Sequence, residues 1–251
     1  MDAYVKSEIE NGIGTIEFFH PQSNSMPGSQ LRNLAKEIKK LGNDDNVKII
    51  ILKSGGERAF CAGASFDELI SIKDQETGLE FFSGFAHVIN AIRLAPKFVI
   101  ARIHGKVVGG GVGIAAAADY TFATEFAAVK LSELTIGIGP FVVGPAVERK
   151  VGISAFMQMT INATEFYTAQ WAKEKGLFAE VSTTTDEMDF SINSLANKLS
   201  NYNPDAMKHM KHVSWEGTEN WDQLLLDRAK ISGELVLSEF TKKAINQFKA
   251  K

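Results

Sequence analysis

Twice in its first half the chain runs from an apolar, mostly β-branched stretch into a loop of small residues. Val47-Lys48-Ile49-Ile50-Ile51-Leu52 is followed by Phe60-Cys61-Ala62-Gly63-Ala64, and residues 98–103 are followed by Gly109-Gly110-Gly111-Val112-Gly113. Nearly continuous apolar runs of this length suit strands buried on both faces of a parallel sheet. Ahead of the first strand, Leu31, Leu34, Ile38 and Leu41 repeat at helical spacing, with Pro27 in the first turn; ahead of the second lies an aromatic-rich helical stretch over residues 77–94. Alternation of helix and strand marks an α/β protein, and it sets the two loops at equivalent ends of consecutive parallel strands.

Small residues in such loops have a chemical consequence. Without bulky side chains the peptide N–H groups are open to a substrate, and tight turns often need φ values that only glycine tolerates. Two open N–H groups converging on one oxygen are the raw material of an oxyanion hole, in which each donor contributes about 3 kcal/mol to a transition state. The glycines do not follow the spacing of a phosphate-binding loop, and no Gly-Lys-Ser/Thr comes after them.

The remaining elements frame these loops. Residues 5–9 and 14–19 read as a hairpin around the Asn11-Gly12 turn signal. Residues 114–118 read as a short buried helix, and residues 119–124 and 128–131 as strands. After Pro145 the pattern is helical to the end, with only residues 177–181 strand-like. The last fifty or so residues carry Trp215, Trp221, Leu224, Leu225, Leu226, Leu235, Leu237, Phe240, Ile245 and Phe248, too much apolar surface for a solvated tail, so packing or oligomerisation is expected.

Composition narrows the setting. With 251 residues, 45% hydrophobic, 23% charged and a net charge of −3, neither disorder nor a nucleic-acid footprint is expected. Cys61 is the single cysteine, which excludes an intrachain disulfide and a cysteine-rich zinc site and fits a reducing, cytoplasmic setting. The first residues lack signal-peptide character, and no apolar run approaches a bilayer span, so neither export nor membrane insertion is expected. The five histidines, His20, His87, His104, His209 and His212, show no zinc-type spacing, and no metal is assigned.

Three segments in register carry a family resemblance: residues 60–69, residues 104–113, and Lys130-Leu131-Ser132-Glu133-Leu134-Thr135-Ile136-Gly137-Ile138-Gly139-Pro140. Their order and spacing resemble the crotonase superfamily, the enoyl-CoA hydratase/isomerase group, over essentially the whole chain. The resemblance implies a spiral of repeated ββα units (residues 1–195) and a C-terminal helical region (196–251) that builds homo-trimers or hexamers. It implies acyl-CoA thioester substrates, with coenzyme A present as part of the substrate and no separate cofactor. By position, the N–H groups of Ala64 and Gly110 would stabilise a thioester enolate, and Glu133 would act as acid/base. Ala62, Ala64, Ser65, Phe66, Asp67 and Gly110 would border the substrate, with Phe248 and Lys249 near the adenine end of coenzyme A.

One position departs from the family pattern. Hydratases of the group use two glutamates to position and activate water; here Gly113 stands at the first of those positions and Glu133 at the second. A single carboxylate suits double-bond isomerisation, in which one base moves a proton from C2 to C4. The alternatives are hydration, dehydration or decarboxylation of a branched or carboxylated acyl-CoA, of the methylglutaconyl-CoA hydratase type, and a non-catalytic CoA-thioester binder. The bulky segment Gly139-Pro140-Phe141-Val142-Val143-Gly144-Pro145 is expected to reshape the acyl pocket. Phe81, Phe82 and Phe85 are read as a core stripe or an acyl-pocket wall, Asp67 and Glu68 as helix-capping carboxylates, and Cys61 and His104 as structural. Lys208, His209, Lys211 and His212 are read as a solvated helix face.

Overall fold

Asn11 (φ 50°) and Gly12 (φ 81°) take the left-handed conformations of a two-residue hairpin turn. They join β1 (Tyr4–Glu10) to β2 (Ile13–Phe19) in antiparallel register. The computed structural model describes residues 2–249, with side chains described as far as residue 247. From β2 onward the main sheet is parallel. It takes up β3 (Ile49–Ser54), β5 (Val99–Ile103), β7 (Tyr120–Thr124) and β10 (Glu180–Ser182) in the order β1-β2-β3-β5-β7-β10.

β3 is buried on both faces, as its unbroken apolar run requires. Ile50 and Leu52 join the core shared with α1 (Gly28–Gly42) and α3 (Gln75–Leu94). Ile49 and Ile51 face a second core with Met188, Ile192 and Ala196 of α7 (Thr185–Ser200).

The small-residue loops do not follow β3 and β5 directly. Each strand is followed by a turn and a short strand, β4 (Ala59–Cys61) or β6 (Lys106–Val108). These pair with β8 (Ala128–Lys130) and β9 (Tyr167–Thr168) in a second sheet of order β4-β6-β8-β9. Strands of two or three residues are too short to show alternation, which is why they read as loop. A long strand, a short strand and a helix thus repeat: β3, β4 and α2 (Phe66–Ser71); β5, β6 and α4 (Gly110–Ala117); β7, β8 and the 3-10 helix Glu133–Ile136. This is the crotonase-like spiral of ββα units.

Helices α5 (Gly144–Ile161), α6 (Ala169–Glu174), α8 (Pro204–Ser214), α9 (Trp221–Leu235) and α10 (Glu239–Lys249) complete the chain. Trp215, Trp221, Leu225 and Ile245 are buried in the main core, whereas Phe240 remains exposed. Helix α9 runs antiparallel to α3. Arg93 meets Asp222 at 2.7 Å at one end, and at the other a Cβ on Gly78 would stand 2.8 Å from the Gly233 carbonyl oxygen. The expected solvated face of α8 needs one correction: Lys211 is buried and pairs with Asp119, which also accepts from Trp215 Nε1 and from the Val99 N–H. Burial is sustained there because the charge has a partner.

Candidate active site

The second sheet brings the two loops together. β4 lies parallel to β6 with Cys61 opposite Val107, so both strands release the chain on the same side. A Cβ on Gly63 would stand 3.1 Å from the Val108 carbonyl oxygen and 3.8 Å from the Gly110 nitrogen. Gly63 (φ 91°) and Gly109 (φ 53°) both need backbone conformations that side chains disfavour.

The two loops aim their N–H groups by different means. Ala64 forms a parallel bridge with Met26, in which the Met26 N–H donates to Gly63 O at 2.8 Å and the Ser65 N–H to Met26 O at 3.2 Å. Successive peptides of an extended chain point to opposite sides, so the Ala64 N–H faces away from Met26. Gly110 opens α4, where first-turn N–H groups have no acceptor within the helix. The Gly109 N–H before it is already taken by Lys130 O at 2.8 Å. Among the described residues neither the Ala64 nor the Gly110 N–H donates to a protein group. Both residues line one cleft of about 610 Å³, part of it open to solvent.

Glu133 enters this cleft from the start of the 3-10 helix that follows β8. A Cβ on Gly109 would stand 3.2 Å from Oε1 of Glu133, so the carboxylate rests against the bare backbone of the second loop. Oε2 is buried without a hydrogen-bond partner. Burial pushes the carboxyl up to about 7, opposed only by its own backbone N–H. A group poised there can take and return a proton near neutral pH.

Beside Glu133 the wall is apolar. A Cβ on Gly113 would lie 2.4 Å from Cγ1 of Val143, so Val143 fills the space a side chain at position 113 would need. Val143 and Glu133 both line the cleft. Phe82 and Phe85 of α3, Leu69 of α2, and Ile136, Ile138 and Phe141 supply most of the remaining lining. A Cβ on Gly110 would overlap the Phe85 ring, at 2.1 Å from Cε1.

Of the expected site residues, Glu133, Ala62, Ala64, Phe66 and Gly110 meet in this cleft, as do Phe82 and Phe85. Ser65 and Asp67 do not, because α2 begins at Phe66 and turns the chain away. The Ser65 hydroxyl caps α2, and Asp67 accepts from Gln22 Nε2 at 2.9 Å. Glu68 caps a different helix from its own: its carboxylate accepts the first N–H of α1, from Gly28, at 2.6 Å. Cys61 is buried and its thiol is pushed up to about 12 by that burial. Phe248 and Lys249 end α10, and their side chains lie outside the described residues. Sequence reasoning missed Ser132 and Ser232, which also line the cleft. Ser132 directly precedes Glu133 and was within reach; Ser232 arrives from α9 with no local signal. Among the described residues no helix is long and apolar enough to cross a membrane, and no group of three His, Cys, Asp or Glu residues gathers as a metal site.

This fold and cleft define a crotonase-type protein, and comparison with known proteins agrees. The enoyl-CoA hydratase/isomerase family model matches residues 8–251. The chain is 28% identical over 244 residues to a short-chain-enoyl-CoA hydratase of Clostridium acetobutylicum, covering 96% of this chain and 92% of the relative. It is 28% identical over 193 residues to a peroxisomal Delta(3,5)-Delta(2,4)-dienoyl-CoA isomerase of Arabidopsis thaliana, covering 71% and 68%. A crystal structure of an enoyl-CoA hydratase from Bacillus halodurans superposes with a TM-score of 0.90 at 22% identity, covering 97% of this chain and 99% of that one. The chain belongs to the enoyl-CoA hydratase/isomerase family, whose enzymes act on acyl-CoA thioesters.

Proposed function

We propose that the protein isomerises β,γ-unsaturated acyl-CoA thioesters to their α,β-unsaturated forms, with Glu133 as the single acid/base. The observation that carries this reading is the Glu133 carboxyl itself, buried, raised to about 7 and unpartnered at Oε2, in the same cleft as the Ala64 and Gly110 N–H groups. In the proposed reaction, carboxylate takes the proton from C2, and the electron pair of that bond forms an enolate whose oxygen accepts from the two N–H groups. Glu133, now a neutral acid, returns the proton at C4 as the double bond moves from C3–C4 to C2–C3. Water takes no part, which suits a cleft in which Val143, not a second carboxylate, fills the space over Gly113.

Hydration needs a water held as well as deprotonated, and the second holding group is missing where Val143 meets Gly113. The decisive experiment offers a panel of β,γ- and α,β-enoyl-CoAs, including branched and carboxylated ones, in deuterated water. A double bond moved from C3–C4 to C2–C3, with the number of double bonds unchanged and little deuterium at C4, is expected, because Glu133 returns the proton it took. Net addition of water would replace isomerisation by hydration, and inertness toward the whole panel would favour a thioester binder.

A further inference from the structure

The cleft that holds Glu133 is also lined by Phe82 and Phe85 of α3 and by Ser232 of α9, a residue only 1% exposed. The antiparallel register of these helices places Ser232 along the wall. Gly233 touches Gly78 and Leu79 backbone to backbone, where a Cβ on Gly233 would stand 2.8 Å from the Leu79 nitrogen, so Ser232 lies level with that turn of α3. Phe85, whose ring covers Gly110, is six to seven residues further along the same helix. At a rise of about 1.5 Å per residue this sets Ser232 and the Phe85 level, where Gly110 lies, roughly 10 Å apart along the α3 axis. An extended chain of single bonds advances about 1.2 Å per bond, so the distance corresponds to about eight bonds.

We infer that Ser232 is a specificity-determining residue that ends the acyl-tail cleft and limits the acyl group to about eight carbons. The inference rests on the acyl-CoA reading of this cleft and adds the length of the tail. The stop is firm because neither helix can give way alone: with glycines in backbone contact at the crossing, α9 has no side chain there to rotate aside. The Ser232 hydroxyl is turned back onto its own helix, 3.4 Å from the Arg228 carbonyl oxygen.

The test measures binding rather than turnover, so that it does not depend on which reaction is catalysed. Saturated acyl-CoAs of four to fourteen carbons are titrated calorimetrically into the full-length protein. Each methylene up to eight carbons is expected to tighten Kd about fourfold, the worth of a buried methylene. From ten carbons on, the gain should stop or reverse. In Ser232→Val, checked for a wild-type melting profile, the break should move to shorter tails. A Kd that keeps tightening through fourteen carbons overturns the inference, as does a break unmoved in the folded variant. Should Ser232→Val not fold, Ser232→Thr, which adds one methyl and keeps the hydroxyl, is titrated in its place and read in the same way. Failure of every acyl-CoA to bind overturns the acyl-CoA reading itself, and this inference with it.

Discussion

Glu17 and Glu133 are the same side chain in two settings, and the protein gives them opposite proton affinities. At the β1–β2 edge of the main sheet, burial tends to raise the Glu17 carboxyl, but hydrogen bonds from Tyr4, Lys53 and Lys6 outweigh it and hold the group at about 2. Those partners lie at 2.7 Å for Tyr4 Oη and 3.0 Å for each lysine. In the cleft, Glu133 is also buried, has no such donors, and stays at about 7. Donors rather than burial alone decide whether a carboxylate is an anchor or a base.

The largest effect should come from removing the unpartnered carboxyl. Glu133→Gln is expected to lower turnover of a β,γ-enoyl-CoA about a thousandfold or more while acyl-CoA affinity is retained; activity surviving within tenfold would remove Glu133 from the mechanism. The same variant has a stability signature. The folded-state value of Glu133 lies above its ordinary 4.5, so the folded protein binds more protons between about 4.5 and 7, and stability contributed by this group is lost as pH rises through that window. The loss amounts to about 3 kcal/mol. Denaturant melts of Glu133→Gln should lack that slope and show a more stable protein above neutral pH.

A somewhat smaller loss is expected at the donor pair. Gly110→Ala drives a Cβ into Phe85 and should cost about a hundredfold in kcat. Adding Phe85→Leu relieves the overlap, and recovery of stability without full recovery of kcat would separate donor aim from packing. Unchanged kcat in Gly110→Ala would sink the donor assignment. At the other carboxylate, Glu17→Gln should leave turnover unaltered and cost about 1 kcal/mol at neutral pH, since these pairs are partly solvent-screened. Its sign is opposite to that of Glu133: the Glu17 value is depressed, so its stabilisation is present above about 4.5 and is lost as pH falls toward 2. A Glu17→Gln protein whose acid melting curve matches wild type would dissolve the contrast.

Much of this architecture was legible in the chain. β3 announced itself by an unbroken apolar run because it is buried on both faces, and the hairpin by Asn11-Gly12 because few other pairs accept two left-handed residues. The small-residue loops were legible as loops, but not the short strands β4 and β6 that carry them, since three residues hold no period. Ser65 and Asp67 were placed at the substrate by the family resemblance; their side chains cap α2 and meet Gln22, which the local pattern did not show. Lys211 looked solvated on its own helix; its partner, Asp119, is ninety-two positions away in the chain.

By itself the sequence determined the α/β alternation and the two backbone-exposing loops, because each rests on residue types at short, regular spacing; the candidate base came from the family resemblance of the segment around Glu133. Only the tertiary structure decided that Glu133 Oε2 has no hydrogen-bond partner, that Val143 occupies the space over Gly113, and that Ser232 lines the cleft. Whether a group is buried without a partner, or a space is already filled, depends on elements distant in the chain. The pattern around a residue can name its chemistry, but packing sets the dielectric, the neighbours and the room in which that chemistry acts.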